Sequence, residues 1–421
     1  MLKVAKFGGS SLSDAARFEN FKRIVLADGD RKIVVVSAPG KRYPADTKVT
    51  DLLIKACFCA KNGGNYVAPL KEVESRYAEI AEKLSLSFDV KKEFAYLYDE
   101  LPSLAEAFVL SRGEYLCARM AAEYLGFDFI DAAEIILFDY SGKLNYGASA
   151  SAAAKKISGA AVIPGFYGGY PNGQVKIFAR GGGDESGAIL ASLMRADLYE
   201  NWTDVSGVKK ADPAVIPYAE TIREITFSDL RLLSVSGARV LQENAVSPAK
   251  KAGIPINVRN SASPSDEGTT IVSDYKNGGN EFLGVTISAG FYSVRITLKE
   301  SANRSRALAE YASLFEGLNV SVARAELCGD ELFFVVSGDL GAVPDEVYSL
   351  RETAGATLSE GQTLVTVLGV TGIAAGKFLT AAQDKIPVEF CWLDCKRRLF
   401  YILVNSVFAE EAARAAYNAA K

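Results

Sequence analysis

Through the first part of the chain, short apolar runs alternate with longer amphipathic stretches. Leu2 to Phe7 reads as a strand that ends in Gly8-Gly9-Ser10-Ser11, and Asp14 to Ala27 reads as a helix. Ile33-Val34-Val35-Val36 is a continuous apolar run, the pattern of a strand buried on both faces, and it ends at Ser37-Ala38-Pro39-Gly40. Thr50 to Ala60 predicts a helix, Tyr66 to Glu100 a charged helix-rich stretch, and Leu104 to Leu125 a further helix. Strand patterns follow at Phe127–Ile130, Ile135–Phe138 and Ala160–Pro164, with a helix at Ala148–Ile157. Arg180-Gly181-Gly182-Gly183-Asp184 reads as a turn before a helix at Ser186–Ala196, and Asp197–Trp202 as a strand ending at Thr203-Asp204. Helices at Ser228–Leu233 and Ala238–Ala252 lead into a strand at Ile256-Asn257-Val258. This alternation predicts a mostly parallel sheet covered by helices on both faces. In such sheets ligands bind beyond the carboxyl ends of the strands, where the glycine clusters and Thr203-Asp204 fall.

The pattern changes near residue 275, and Asp274 to Asn280 reads as a linker. Beyond it come a strand (Gly284–Leu298), a helix (Arg304–Leu318) and strands at Val320–Ala325 and Leu332–Ser337. A similar order returns as Thr363–Leu368, Ala374–Lys385, Val388–Trp392 and Leu399–Val404, closed by a helix at Ala409–Ala419. Two βαββ-like units of similar length are predicted, alike in the order of their elements rather than in matching residues.

Composition narrows the chemistry. The chain has 421 residues and no histidine, which removes Ser-His-Asp and Cys-His catalysis and His-ligated zinc. Lys plus Arg is 47 against 51 for Asp plus Glu, a net charge of −4, so no nucleic-acid partner is expected. Cys57, Cys59, Cys117, Cys328, Cys391 and Cys395 form no CxxC pair and read as ordinary thiols. No signal-peptide pattern opens the chain and no apolar stretch approaches a membrane span, so a cytoplasmic protein without a membrane partner is expected.

Two segments carry candidate chemistry. Lys6 stands beside a Gly-Gly turn whose amides can form an anion nest, although a strand lysine next to a turn is also an ordinary solvated charge. Arg180 to Asp184 puts three glycines and a guanidinium before a helix N-terminus, an arrangement suited to phosphate, with Asp184 alternatively a helix cap. There is no GxxxxGK[ST], so this is not a P-loop chain.

Together the motifs resemble those of aspartate kinases, in family order over about residues 1 to 273. Lys6-Phe7-Gly8-Gly9-Ser10-Ser11 resembles their KFGGTS opening, Val34 to Pro39 their VVVSA strand, and Val49 to Leu53 their V-T-[DN]-L-L helix start. Ser111-Arg112-Gly113-Glu114 resembles the small-x-G-E motif, and Phe178 to Gly187 the GRGGSD loop. Trp202 to Gly207 with Ala211-Asp212-Pro213 resembles TDVxG…ADP, Gly237 to Leu241 resembles GAKVL, and Gly268-Thr269 a GT near the domain end. The rear units resemble tandem ACT domains. The resemblance implies an α/β amino acid kinase fold over residues 1–274, followed by two ACT-like ferredoxin-type α+β units over 280–421, about 280–355 and 356–421.

It further implies transfer of the ATP γ-phosphoryl group, with Mg²⁺, to the β-carboxylate of L-aspartate, the first step toward lysine, threonine and methionine. By motif, Lys6 would hold the transferring phosphoryl oxygens and Asp184 would organise the catalytic cations. Gly8, Gly9, Ser10, Gly181 and Gly182 would cradle phosphates. Thr50, Glu114 and Arg180 would bind aspartate. Thr203 and Asp204 would face the nucleotide, and Arg239 would stand where relatives use Lys. No metal ligand set beyond this is read from the side chains. Asn319, at a helix-to-strand turn, is a candidate contact for an amino-acid effector such as lysine or threonine, and equally reads as a turn residue. The ACT-like units imply a homodimer or larger assembly.

The chain also departs from the pattern. Gly183 replaces the motif Ser, Ala179 the Gly before the motif Arg, and Gln242-Glu243 a His-Pro pair. Lys209 and Ala214 stand where relatives often have Tyr and Arg near the nucleotide; Lys209 could restore part of the lost charge. Two alternatives therefore stay open: a catalytically weak paralogue acting as an amino-acid sensor, and a related carboxylate or carbamate kinase.

Overall fold

The computed structural model describes residues 1–179, 182–238, 243–275, 282–338, 353–383 and 385–421. The chain divides into two compact units. The first comprises Met1–Val208, Thr221–Leu230 and Val240–Gly278; the second comprises Lys209–Glu220, Arg231–Arg239 and Gly279–Lys421.

The first unit is built on an eight-stranded sheet. Its strands are β1 (Lys3–Phe7), β2 (Ile33–Val36), β3 (Asp128–Phe129), β4 (Ala161–Pro164), β7 (Leu198–Thr203), β8 (Glu224–Thr226), β9 (Ile256–Asn260) and β10 (Thr269–Val272), in the order β3-β4-β2-β1-β7-β9-β10-β8. Every pairing is parallel except β9 with β10. The predicted parallel sheet is therefore present. Val4, Ala5, Phe7 and all of Ile33–Val36 are buried, as a central strand covered on both faces requires. A separate hairpin joins β5 (Tyr167–Gly169) to β6 (Val175–Ile177).

Helices α1 (Ala15–Leu26), α2 (Val49–Lys61), α3 (Val67–Lys83), α4 (Val90–Glu100) and α5 (Glu106–Leu125) belong to this unit, with α6 (Tyr146–Lys156) and α7 (Gly182–Leu193); α8 (Phe227–Val235) and α9 (Glu243–Lys251) follow in the chain. Asp14 caps α1 by accepting from the Arg17 amide, so the helix begins at Ala15. The core runs from Phe7 through Phe18 and Phe21 to Tyr77, Phe94 and Trp202. Phe7 and Trp202 are direct neighbours across β1 and β7, and their rings stack at 5.8 Å. That contact pins the two strand ends from which the candidate site is built.

Three local readings are corrected. Ile135–Phe138 is not a strand: Leu137 and Phe138 make only isolated bridges, because a turn at Ala132–Glu134 and the β5–β6 hairpin take up their backbone groups. The helix predicted from Ser186 begins at Gly182, with the Ser186 hydroxyl donating to the Gly182 carbonyl at 2.9 Å. The short strands β8 and β10, which the sequence reading passed over, exist because each pairs with a neighbour.

The second unit carries one antiparallel sheet of β11 (Gly284–Leu298), β12 (Ser321–Cys328), β13 (Glu331–Ser337), β14 (Thr353–Leu368), β15 (Val388–Asp394) and β16 (Leu399–Asn405). Its order is β12-β13-β11-β14-β16-β15, so the two ACT-like units join into one sheet where β11 pairs with β14. The helix α10 (Arg304–Gly317) packs on β11 and β13 through Ala307, Tyr311 and Phe315. The helices Gly372–Ala382 and Ala409–Ala420 pack on β14 and β16. The opposite face, which no helix among the described residues covers, gathers Phe333 against Phe390 at 4.4 Å, and Trp392 stacked on Tyr401 at 4.6 Å. Among the described residues no helix is long and apolar enough to cross a membrane.

Candidate active site

Lys6 is the next-to-last residue of β1 and only 7% exposed. Its cross-strand neighbour on β7 is Asn201. The Lys6 ammonium lies 2.5 Å from Asp184 Oδ1, and Asn201 Nδ2 donates to the same oxygen at 3.1 Å. Lys6 also reaches Asn201 Oδ1 at 3.5 Å. Asn201 was not singled out in the sequence, although it stands immediately before Trp202-Thr203-Asp204; only strand register reveals its role.

Asp184 is not a cap. It lies in the first turn of α7, where a carboxylate is favoured by the free amides of the helix start. The turn is fixed from β7 by Tyr199, which is fully buried and donates its hydroxyl to the Asp184 carbonyl at 3.1 Å. A Cβ on Gly187 would come within 2.6 Å of that hydroxyl, so a glycine there is what lets Tyr199 lie under the helix. Gly183 is equally constrained: a Cβ would fall 2.7 Å from Ser37 Oγ and 3.3 Å from Lys6 Cε. The departure from the family's Ser thus sits where the Ser37 hydroxyl and the Lys6 stem already fill the space.

Ser37 leads to the other half of the site. The next amide, of Ala38, donates to Glu114 Oε1 at 3.1 Å. Glu114 is 5% exposed on α5, and its Oε2 is buried with no hydrogen-bond partner among the described residues. Burial raises its pKa to about 7, offset only in part by the Ala38 amide. A buried carboxylate with one oxygen unmet is poised to receive a cationic donor. Gly113 lets α5 lie against Ala38, Val49 and Leu53, which brings the start of α2, with half-buried Thr50, alongside.

The glycine turn meets the same edge. Gly8 donates to the Trp202 carbonyl at 3.0 Å, and a Cβ on Gly8 would lie 3.6 Å from the Lys6 ammonium. The Gly9 carbonyl accepts from the Gly40 amide at 2.8 Å, and Ser10 follows, half-buried, in a short 3₁₀ turn. Thr203 and Asp204 close β7, linked by a side-chain hydrogen bond of 3.1 Å, and the Thr203 carbonyl accepts from the Ser261 amide. Ser261 in turn meets Ser11 at 2.7 Å. Lys6, Gly8, Gly9, Ser10, Thr50, Glu114, Gly182, Asp184, Thr203 and Asp204 therefore all border the carboxyl ends of β1, β2 and β7 or the helices that follow them.

Other predicted residues are not described at this edge. Arg180, Gly181 and Arg239 lie outside the described residues, as do positions 276–280 of the predicted linker. Lys209 and Ala214 belong to the second unit. Asn319, also there, follows α10 in the left-handed conformation, with φ at 58° and its amide donating to the Glu316 carbonyl, so its turn role is real.

A parallel sheet whose carboxyl-edge loops join a lysine, a carboxylate and glycine amides has the layout of a phosphoryl-transfer site. The chain belongs to the amino acid kinase family, whose description matches residues 1–260, and within it to the aspartokinases. It is 35% identical over 316 residues to aspartokinase 3 of Bacillus subtilis, covering 70% of this chain and 69% of that one. The crystal structure of Clostridium acetobutylicum aspartate kinase, described as an allosteric enzyme, superposes over 100% of both chains with a TM-score of 0.86 at 34% identity. Aspartokinase III of E. coli, solved with lysine and aspartate, shares the fold over 100% of this chain and 99% of its own, at a TM-score of 0.74 and 22% identity. The chain is an ATP-dependent kinase that phosphorylates aspartate.

Proposed function

We propose that the carboxyl-edge loops of the first unit carry this reaction, with the residues named above in specific roles. The catalytic region is residues 1–274 and the regulatory region 280–421. The observation that supports the assignment is a run of direct neighbours from Glu114 through Ala38, Ser37 and Gly183 to Lys6 and Asp184. It sets an acceptor for an ammonium group at one end and a phosphate-sized cluster of charge at the other.

The nucleophile is the β-carboxylate of L-aspartate, ionised at neutral pH, so no general base is needed and a chain without histidine suffices. One carboxylate oxygen bonds to the γ-phosphorus while the bond from that phosphorus to the β–γ bridging oxygen breaks. ADP leaves, and 4-phospho-L-aspartate remains. The task is to bring two anions together and to steady charge on the transferring group. Lys6 exchanges its contact with Asp184 for phosphate oxygens, and Gly8, Gly9, Ser10, Gly181 and Gly182 offer amides to them. Glu114 accepts from the substrate ammonium through Oε2, Arg180 pairs with the α-carboxylate, and Thr50 supplies a hydroxyl. Thr203 and Asp204 face the nucleotide.

Among the described residues no three carboxylates or thiols cluster, and a cation held by one carboxylate plus phosphate oxygens is the ordinary Mg²⁺ arrangement, so Asp184 fits that role. Mg²⁺ bound there would neutralise phosphate charge. The second unit, with Asn319 at its turn, would bind lysine or threonine, and its sheet edges would support a homodimer or larger assembly. The net charge of −4 argues against a nucleic-acid partner, and the enzyme is placed in the cytoplasm with no membrane partner.

ADP formation measured with L-aspartate, with L-glutamate and with no acceptor tests the reading. Release of ADP that requires aspartate, with hydroxylamine trapping the acyl phosphate, is expected. ADP release that ignores the acceptor, or none at all, would overturn it in favour of a weak paralogue.

A further inference from the structure

Segment 41–48 joins the end of β2 to the start of α2, where Thr50 sits. It is almost devoid of core contacts, and Asp46 is its one buried residue. Hydrophobic packing therefore does not hold this loop. A polar hub does. Asp46 accepts from the Arg42 amide at 3.0 Å, from Arg42 Nε at 3.0 Å, from Arg42 Nη2 at 3.3 Å and from the Thr47 amide at 3.0 Å. Its remaining partner comes from outside the loop: Arg76 of α3, 2% exposed, donates from Nη2 to Asp46 Oδ1 at 2.5 Å.

The same guanidinium donates from Nη1 to the Gly40 carbonyl at 3.4 Å. Gly40 in turn donates its amide to the Gly9 carbonyl. A Cβ on either glycine would come within 2.7 Å of the other segment's backbone or of Ala38, so the two loops touch with no space between them. Burial alone would raise the Asp46 pKa, yet the hydrogen bonds from Arg42 and the charge of Arg76 bring it down to about 2, so the hub is ionised throughout the working pH range. The residue after Arg76 reaches the other half of the site. Tyr77 is fully buried and donates its hydroxyl to the Gly113 carbonyl at 2.5 Å, one residue before Glu114.

We propose that α3 is a strut for the aspartate pocket, with Arg76 a positioning residue that holds segment 40–48 closed and so sets Thr50 against Glu114. A buried arginine is an expensive way to fasten a loop, and its Nε has no hydrogen-bond partner among the described residues. The planar fork explains the choice: donors on two separate nitrogens at a fixed spacing reach a carboxylate and a carbonyl at once, a geometry that lysine's single nitrogen does not reproduce. This inference rests on the assignment of Thr50 and Glu114 to aspartate.

The test is full steady-state kinetics of Arg76→Lys and Arg42→Ala, together with trypsin cleavage at Lys41 and Lys48. Arg76→Lys keeps the charge and loses the fork. We expect its KM for aspartate to rise about tenfold or more, with KM for ATP within about twofold and kcat at saturating aspartate within about threefold. Cleavage of the loop should be about fivefold faster and slow again when aspartate is added. Arg42→Ala, which alters the partly exposed side of the hub, should give a smaller rise of the same kind, and it decides the matter if Arg76→Lys does not fold. An unchanged KM for aspartate, or equal rises for both substrates, would overturn the proposal. Should the wild type show no aspartate-dependent ADP release, the functional assignment falls, and wild-type-like trypsin cleavage in both variants would by itself dispose of the clamp.

Discussion

The Lys6 ammonium rests 2.5 Å from the Asp184 carboxylate, joining the end of the first strand to the first turn of α7. Only 9% of the Lys6 side chain and 21% of the Asp184 side chain meet solvent. A pair this sheltered keeps a cation at the site in a defined place before any phosphate arrives.

Lys6→Met and Asp184→Asn are each expected to lower kcat by roughly a hundredfold or more, because each removes a group aimed at charge in the transition state. Removing one partner also leaves the other uncompensated, so some loss of stability accompanies the change. Circular dichroism and thermal melting separate the two effects. Turnover within tenfold of wild type in both variants, with the fold intact, would reject the assignment.

Asn201 holds Lys6 and Asp184 to one strand through its side-chain amide. Asn201→Leu should cost about tenfold in kcat and leave the KM for aspartate nearly unchanged, since Glu114 and Thr50 are untouched. An increase confined to the KM for aspartate would contradict this placement.

Glu114 gives the enzyme a pH signature. With its pKa raised to about 7, the carboxyl is largely protonated at pH 6 and then offers an ammonium group a neutral acceptor in place of a full negative charge. KM for aspartate should rise about eightfold between pH 7.5 and pH 6, and Glu114→Gln should flatten that rise while weakening binding throughout. The stability effect has the opposite sense. A carboxyl with a raised folded pKa contributes no penalty below its ordinary value and a full penalty above about 7, so this group makes the free protein less stable as pH rises. Aspartate should relieve that penalty, and the thermal shift it produces should be larger at pH 8 than at pH 6. A pH-independent shift would count against Glu114 as the ammonium acceptor.

Gly187→Ala sets two effects against each other. Alanine gains about 1 kcal/mol of helix propensity over glycine. Its Cβ, however, would sit 2.6 Å from Tyr199 Oη and 2.7–2.8 Å from two ring carbons, in a side chain with no exposure and no room to yield. Overpacking of this kind costs about 1–3 kcal/mol, so net destabilisation with a loss of turnover is expected. Differential scanning calorimetry reads the first and ADP assays the second. Tyr199→Phe in the same background removes only the nearest of the three clashing atoms and should restore stability in part. A variant as stable as wild type would mean that α7 does not rest on Tyr199.

Much of the molecule was legible from local pattern. The continuous apolar run at Ile33–Val36, the Lys6-Gly8-Gly9 strand end and the Trp202-Thr203-Asp204 strand end each carry their meaning within a few residues, because burial on two faces and a need for free backbone amides leave a local signature. The strand at Gly284–Leu298 was read with its observed bounds for the same reason. Three glycines before Asp184 read as a turn, since glycine is a poor helix former, yet α7 starts at Gly182 because Tyr199 holds its first turn from β7 and the Ser186 hydroxyl ties back to the Gly182 carbonyl from within the helix. Ile135–Phe138 carries strand-forming residues, but its backbone partners come from the turn and hairpin beside it.

By itself, then, the sequence determined most of the longer strands and helices, the family they compose, and the kinds of group available for chemistry. Tertiary structure alone decided that Asn201 would lie beside Lys6, that Gly183 would press on Ser37, that Glu114 would keep one oxygen unmet among the described residues, and that Arg76 would reach Asp46 and Gly40. The physical reason is range. Periodicity and turn preference act between residues close in the chain, whereas strand register, buried charge and van der Waals contact act between residues that only the folded backbone makes neighbours.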